Sequence, residues 1–255
     1  MAANYWHSTQ CNTWLLDRST LEAMRDMDCR FADSHELAAV STWCIHLIAM
    51  LSKRLNLRQR VVSTASVYFQ RFYSKNTYAG TDPFLVLTTC VYLAAKVEEA
   101  TVRIKTLCAE ASKMFSEMGY KELPNSVPMV AEMEFFLMEE LEFDLIVFHP
   151  YHILETLCDA CSAVIEVMQP AADPVQIPRV PSPSTPVPGL ALVDEKPDLE
   201  RENQLLQMAW FVANDLYCMD LPLRYPPYVL AVASGVHPRE LGKKRRADTR
   251  GRQCA

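Results

Sequence analysis

The stretch Asp82-Pro-Phe-Leu-Val-Leu-Thr-Thr-Cys-Val-Tyr-Leu-Ala-Ala-Lys96 decides the fold. Asp82 is a good helix N-cap. Pro83 suits the first helical position, where its ring presets φ and its missing N–H costs nothing. From Pro83 to Ala95 no charge occurs for thirteen residues. A helix that is apolar on every side must be surrounded by other helices. Lys96 is the charge that breaks the run.

The same pattern extends in both directions. Upstream, Arg58 to Tyr73 reads as a helix in which Val61, Ala65, Tyr68 and Phe72 form one apolar stripe. Glu36 to Leu55 and Asn12 to Asp28 read as two earlier helices. Downstream, residues 101–118, Met129 to Leu141, Tyr151 to Gln169 and Asp198 to Met219 read as helices, and an apolar stretch runs from Tyr228 to Val236. A turn is expected over Lys121 to Pro128. There are only six glycines, and no alternation of apolar and polar residues is sustained. The fold class expected is therefore all-α. Pro170 to Pro197 holds eight of the sixteen prolines and reads as a disordered loop. From His237 the chain turns basic. Lys243-Lys-Arg-Arg246 reads either as a solvated tail or as a basic targeting signal.

A chain of 255 residues has room for one large domain or two of roughly 100–130 residues. Its net charge of −6 argues against a whole-molecule attraction to nucleic acid or to an anionic membrane. The uncharged run Leu37 to Ser52, with His46 counted as neutral, falls short of a membrane span, which needs about 20 residues. Nine cysteines with no secretory pattern at the start read as reduced, mostly buried thiols.

Catalytic and metal motifs are missing. Cys158-Asp-Ala-Cys161 has no second pair nearby to complete a zinc site, and two core thiols one helical turn apart explain it. The six histidines form no ligand array, and His149 and His152 read as ordinary residues at a helix end. No nucleotide-binding or nucleophile motif occurs. Nothing points to an enzyme, a metal or a cofactor.

Two charges stand out beside apolar stripes. Lys96 ends the helix that looks most buried. Glu134 shares one side of its helix with Val130 and Leu137. A charge in such a place is costly unless it is paired. Periodicity leaves three readings open: an intramolecular Lys96–Glu134 pair, two side chains that snorkel to solvent, or the edge of a surface that receives a partner.

Arg58-Gln-Arg-Val-Val-Ser-Thr-Ala-Ser-Val-Tyr-Phe-Gln-Arg-Phe-Tyr73, then Asp82-Pro83 and Thr89-Cys-Val-Tyr-Leu-Ala-Ala-Lys-Val-Glu-Glu99, resemble the centre of a cyclin box. Ala131-Glu-Met-Glu-Phe-Phe and Leu141-Glu-Phe-Asp-Leu-Ile-Val-Phe-His-Pro-Tyr151 resemble the end of a first box and the approach to a second. The Met1-Ala-Ala-Asn-Tyr-Trp start, the 145–151 junction and Asp220-Leu-Pro-Leu-Arg-Tyr-Pro-Pro resemble the C-type, Mediator-associated cyclins in their fungal form.

The resemblance implies tandem five-helix bundles. Residues 1–35 would be an N-terminal helical segment, 36–146 a first box and 147–236 an incomplete second box with the Pro-rich insert 170–197. Residues 237–255 would be a basic tail. It also implies a non-catalytic subunit that binds and activates the Mediator-associated cyclin-dependent kinase in the nucleus. Other kinase-module subunits would be further partners, with no direct contact to nucleic acid or membrane. Lys96 and Glu134 would hydrogen-bond the kinase beside its mobile C-helix, and Leu93, Val97 and Met138 would pack against that helix. Ser41-Thr-Trp-Cys-Ile45 stands where cell-cycle cyclins carry a substrate-docking patch, and it departs from that pattern. The alternatives are an elongation-type transcriptional cyclin with a different kinase, and a basal transcription factor that uses the same fold to bind DNA. Ser182-Pro183 and Thr185-Pro186 are candidate acceptors for proline-directed phosphorylation.

Overall fold

The computed structural model describes residues 4–120, 126–157 and 197–235. Among these, all regular structure is helical. After a 3-10 turn at Tyr5–His7 come α1 (Thr9–Asn12), α2 (Arg18–Arg25), α3 (Ser34–Arg54), α4 (Gln59–Lys75), α5 (Pro83–Val97), α6 (Ile104–Glu117) and α7 (Val127–Glu140). The second part supplies α8 (151–157), α9 (Pro197–Leu216), α10 (Leu221–Arg224) and α11 (227–235). Cys158, Cys161, Ser182, Thr185, nearly all of the Pro-rich segment and the basic tail lie outside the described residues.

α5 begins as expected, with the Asp82 carboxylate accepting from the Phe84 N–H at 2.9 Å. It packs against α3, α4, α6 and α7, so a helix with no polar face has a neighbour on every side. Its buried hydroxyls satisfy themselves within the helix, Thr88 donating to the Phe84 carbonyl and Thr89 to the Leu85 carbonyl. Cys90 on α5 and Cys44 on α3 are fully buried. Burial pushes the Cys44 thiol up to about 12 and that of Cys90 well above its ordinary value.

α4 is the second central helix, and its burial exceeds what its single apolar stripe implied. Every residue from Val61 to Ser74 is buried, including Ser63, Thr64, Gln70 and Arg71. Of these, Ser63 and Gln70 hold the second part of the chain. The Gln70 amide donates to the carbonyls of Tyr217 and Met219, both at 2.8 Å. Ser63 meets the Tyr151 hydroxyl at 2.6 Å, and Tyr151 donates to Asn214 at 2.8 Å. Around them Tyr151, Leu154, Ala209, Ala213 and Tyr217 belong to the same apolar core as α3 to α7.

Two expectations need correction. Of the helix expected over Asn12 to Asp28 only Arg18–Arg25 forms, as α2, while α1 ends at Asn12. Trp14 turns inward to 2% exposure, and the Leu16 N–H is drawn to the Leu223 carbonyl at 2.8 Å, so the backbone leaves helical geometry between them. The turn expected to reach Pro128 ends sooner, because Val127 and Pro128 already belong to the first turn of α7, where proline is tolerated.

Four helices end in the same way. At α3, α5, α6 and α7 a residue of positive φ (Asn56, Glu99, Gly119, Glu142) follows the cap. The next N–H reaches back to a carbonyl five residues earlier: Leu57 to Ser52, Ala100 to Ala95, Tyr120 to Phe115 and Phe143 to Met138. This paired closure satisfies carbonyls that a helix end would leave bare.

Candidate functional site

The C-terminal end of α5 and the middle of α7 meet at the two charges singled out by the sequence. Lys96 Nζ donates to Glu134 Oε1 at 2.6 Å. Of the three readings, the intramolecular pair is formed, and its two ends differ in exposure. The Glu134 side chain is 9% exposed and that of Lys96 is 45% exposed. The ammonium also lies 5.0 Å from the centre of the Tyr92 ring. Its pKa is raised, chiefly by the hydrogen bond to Glu134, with burial opposing. An ammonium has three donors, so the bond to Glu134 leaves two for an incoming acceptor.

The apolar candidates divide. Leu93, Lys96 and Val97 fall at i, i+3 and i+4 on α5, and Glu134 and Met138 at i and i+4 on α7, so each set shares a face. Val97 and Met138 are partly buried and flank the pair. Leu93 is only 2% exposed and belongs to the core behind them.

Sequence reasoning missed three groups. After α7 the chain turns through Glu142 and Phe143, both at positive φ, and exposes Phe143 and Ile146. Trp14 docks on this turn, its indole N–H donating to Asp144 Oδ2 at 2.9 Å. Gln10, also from the N-terminal segment, makes a reciprocal pair with the backbone of Phe148 at 3.3 and 2.6 Å. Only the aromatic character of Trp14 hinted at this in the sequence.

His149 is the third. It is no ordinary helix-end residue, because both ring nitrogens are bonded. Thr64 Oγ1 gives its one proton to Glu98 Oε1 at 2.8 Å. The contact of Thr64 Oγ1 with His149 Nε2, also 2.8 Å, therefore needs the proton on Nε2. Nδ1 then accepts from the Tyr217 hydroxyl at 2.6 Å. Arg60 meets the other Glu98 oxygen at 3.2 Å. Burial, with Arg60 and Arg71 nearby, lowers the His149 pKa from 6.5 to about 3, so the ring stays neutral. His152, by contrast, is exposed.

Among the described residues, no group of three or more His, Cys, Asp or Glu is placed to hold a metal ion, and no helix is long and apolar enough to cross a membrane.

Comparison with known proteins gives the family and the fold. Residues 15–146 match the model of the cyclin N-terminal domain. The chain is 40% identical to the RNA polymerase II holoenzyme cyclin-like subunit of Mycosarcoma maydis, over 95% of this chain and 71% of that one. It is 34% identical to Cyclin-C of Drosophila melanogaster, over 91% of this chain and 75% of that one. In fold it resembles a chain of the yeast TFIIK complex, with a TM-score of 0.67 and 21% identity over 96% of this chain and 91% of that one. A chain of the CAK complex of Chaetomium thermophilum gives a TM-score of 0.68 and 18% identity over 96% and 71%. The chain belongs to the cyclin family, and within it to the C-type cyclins.

Proposed function

We propose that the chain is the non-catalytic regulatory subunit of a cyclin-dependent kinase that serves transcription by RNA polymerase II in the nucleus, and that this kinase is the Mediator-associated one. The observation that carries the reading is the Lys96–Glu134 pair, with its carboxylate buried and its ammonium half in water. A pair built only for folding gains little from an exposed cationic end. A partner that brings backbone carbonyls to the free donors of Lys96 gains charge-assisted hydrogen bonds to a group already oriented.

Val97 and Met138 supply the apolar rim, and Leu93 supports them from the core. A kinase C-helix seated here would be held in its inward position. The cyclin shifts that equilibrium by binding the inward state more tightly. The inward state forms the Lys–Glu ion pair inside the kinase that phosphoryl transfer needs. On this reading residues 36–146 are the first box and 147–236 belong to the second. The relative named for the RNA polymerase II holoenzyme supports the transcriptional assignment.

The test is co-expression with the Mediator-type kinase, comparing this chain with a Lys96→Ala/Glu134→Ala double variant. Capture and activation by the original chain, lost in a variant that keeps its helical circular dichroism, is the expected result. A folded original chain that captures the kinase but leaves its peptide phosphorylation unchanged would refute the activating role.

A further inference from the structure

The turn after α7 is strained, and it is held from outside. Glu142 and Phe143 have φ of 55° and 59°. A bulky aromatic residue rarely takes that conformation, and it persists only where the surroundings over-determine it. Lys75 Nζ donates to the Glu142 carboxylate at 2.5 Å and to the Glu140 carbonyl at 3.1 Å. Arg71 Nη1 donates to the Asp144 carbonyl at 2.8 Å, and the Tyr68 hydroxyl to the Leu145 carbonyl. Tyr68, Arg71 and Lys75 share one face of α4.

Trp14 ties these restraints together. Its indole N–H holds the Asp144 carboxylate, and the Arg71 guanidinium and Lys75 ammonium each lie 4.7 Å from its ring centre. It is almost fully buried and lies one residue before the segment that matches the cyclin N-terminal domain. The turn so locked presents apolar surface to water, with Phe143 68% and Ile146 65% exposed. It continues the proposed docking face, since the Phe143 N–H closes on the Met138 carbonyl at 3.0 Å.

We infer that Trp14 is a positioning residue: delivered by the N-terminal segment, it locks the 142–146 turn and so preforms Phe143 and Ile146 as an apolar prong for the kinase. The inference rests on the reading of a kinase as the partner. A prong ordered before the encounter loses less conformational freedom on binding, and that is how Trp14 would raise affinity without touching the kinase.

The experiment is a double-mutant cycle on the full chain, with affinity for the purified kinase measured by biolayer interferometry. Phe143→Ala and Trp14→Ala should each weaken binding, by about tenfold. In the Phe143→Ala background, Trp14→Ala should cost much less, because the two act through one contact. Trp14→Phe keeps the ring under the two cations, and it serves as the second variant should Trp14→Ala misfold. Its smaller loss should vanish in the same background. Full affinity in both Trp14 variants, or an equal loss in both backgrounds, would overturn the inference. Full affinity of Phe143→Ala would overturn it too, yet would leave the Lys96–Glu134 reading standing, because the kinase would still be captured.

Discussion

His149 joins α4, α5 and the second part of the chain through hydroxyls at both ring nitrogens, and the same enclosure makes it sensitive to acid. Its pKa falls from 6.5 to about 3 on folding. Between those values the unfolded chain binds a proton that the folded chain refuses, so stability rises with pH across the window and is lost as pH falls below 6.5. From pH 6.5 to 5 this one group is expected to remove up to about 2 kcal/mol. Urea midpoints at pH 7, 6 and 5 measure the slope, and His149→Gln should flatten it. An unchanged slope in the variant would assign the acid sensitivity to other groups. Lys96 behaves differently. With its cationic end half exposed, the pair with Glu134 is worth about 0–1 kcal/mol to folding, so its removal should be felt in binding before stability.

At the scale of the element, four helices share one closing device, and only one of them uses glycine for it. Gly119 has φ of 93°, with nothing within 4 Å of where a Cβ would stand. Gly119→Ala should therefore cost only the backbone penalty, about 1 kcal/mol. Glu99 occupies the equivalent place after α5 at φ of 54°. Glu99→Gly should relieve a similar strain and stabilise by about 0.5–1 kcal/mol, less the entropy that glycine adds to the unfolded chain. Thermal melts should show opposite shifts of about 2–4 °C. Two shifts of the same sign would mean that the positive φ is not what governs these positions. The device also explains why helix ends were hard to read in the sequence. Glycine is the usual signal for a left-handed cap. Asn56 gives the weaker signal of an asparagine, whereas Glu99 and Glu142 give none and hold the conformation because the packed helices leave the chain no other exit.

Across the whole molecule, the helices α3 to α7 and the prominence of Lys96 and Glu134 were legible for one reason. Each is written locally, as an apolar period or as a charge set beside one. The pairing of the two was one of three readings that periodicity left open. What escaped was tertiary. The stretch from Val61 to Ser74 carries too many hydroxyl and amide groups to announce full burial, and partners for them come from remote segments, the turn after α7 for Arg71 and the second part of the chain for Ser63 and Gln70. The break between α1 and α2 is imposed by Trp14 and by Leu223, more than 200 residues downstream. The strained turn at Phe143 depends on α4 and on that same tryptophan. No window of neighbouring residues contains that information.

The buried thiols of α3 and α5 turn the molecule into its own clock. Cys90 sits six residues before Lys96 on one helix, and neither it nor Cys44 can meet an alkylating reagent while the helices are closed. The rate at which Cys90 is carbamidomethylated then counts the openings of α5, with exposed Cys29 as the unprotected reference. Binding of the kinase should slow that count at Cys90 and leave Cys29 as reactive as before. The same helix would thus report, by how seldom it opens, that its far end is occupied.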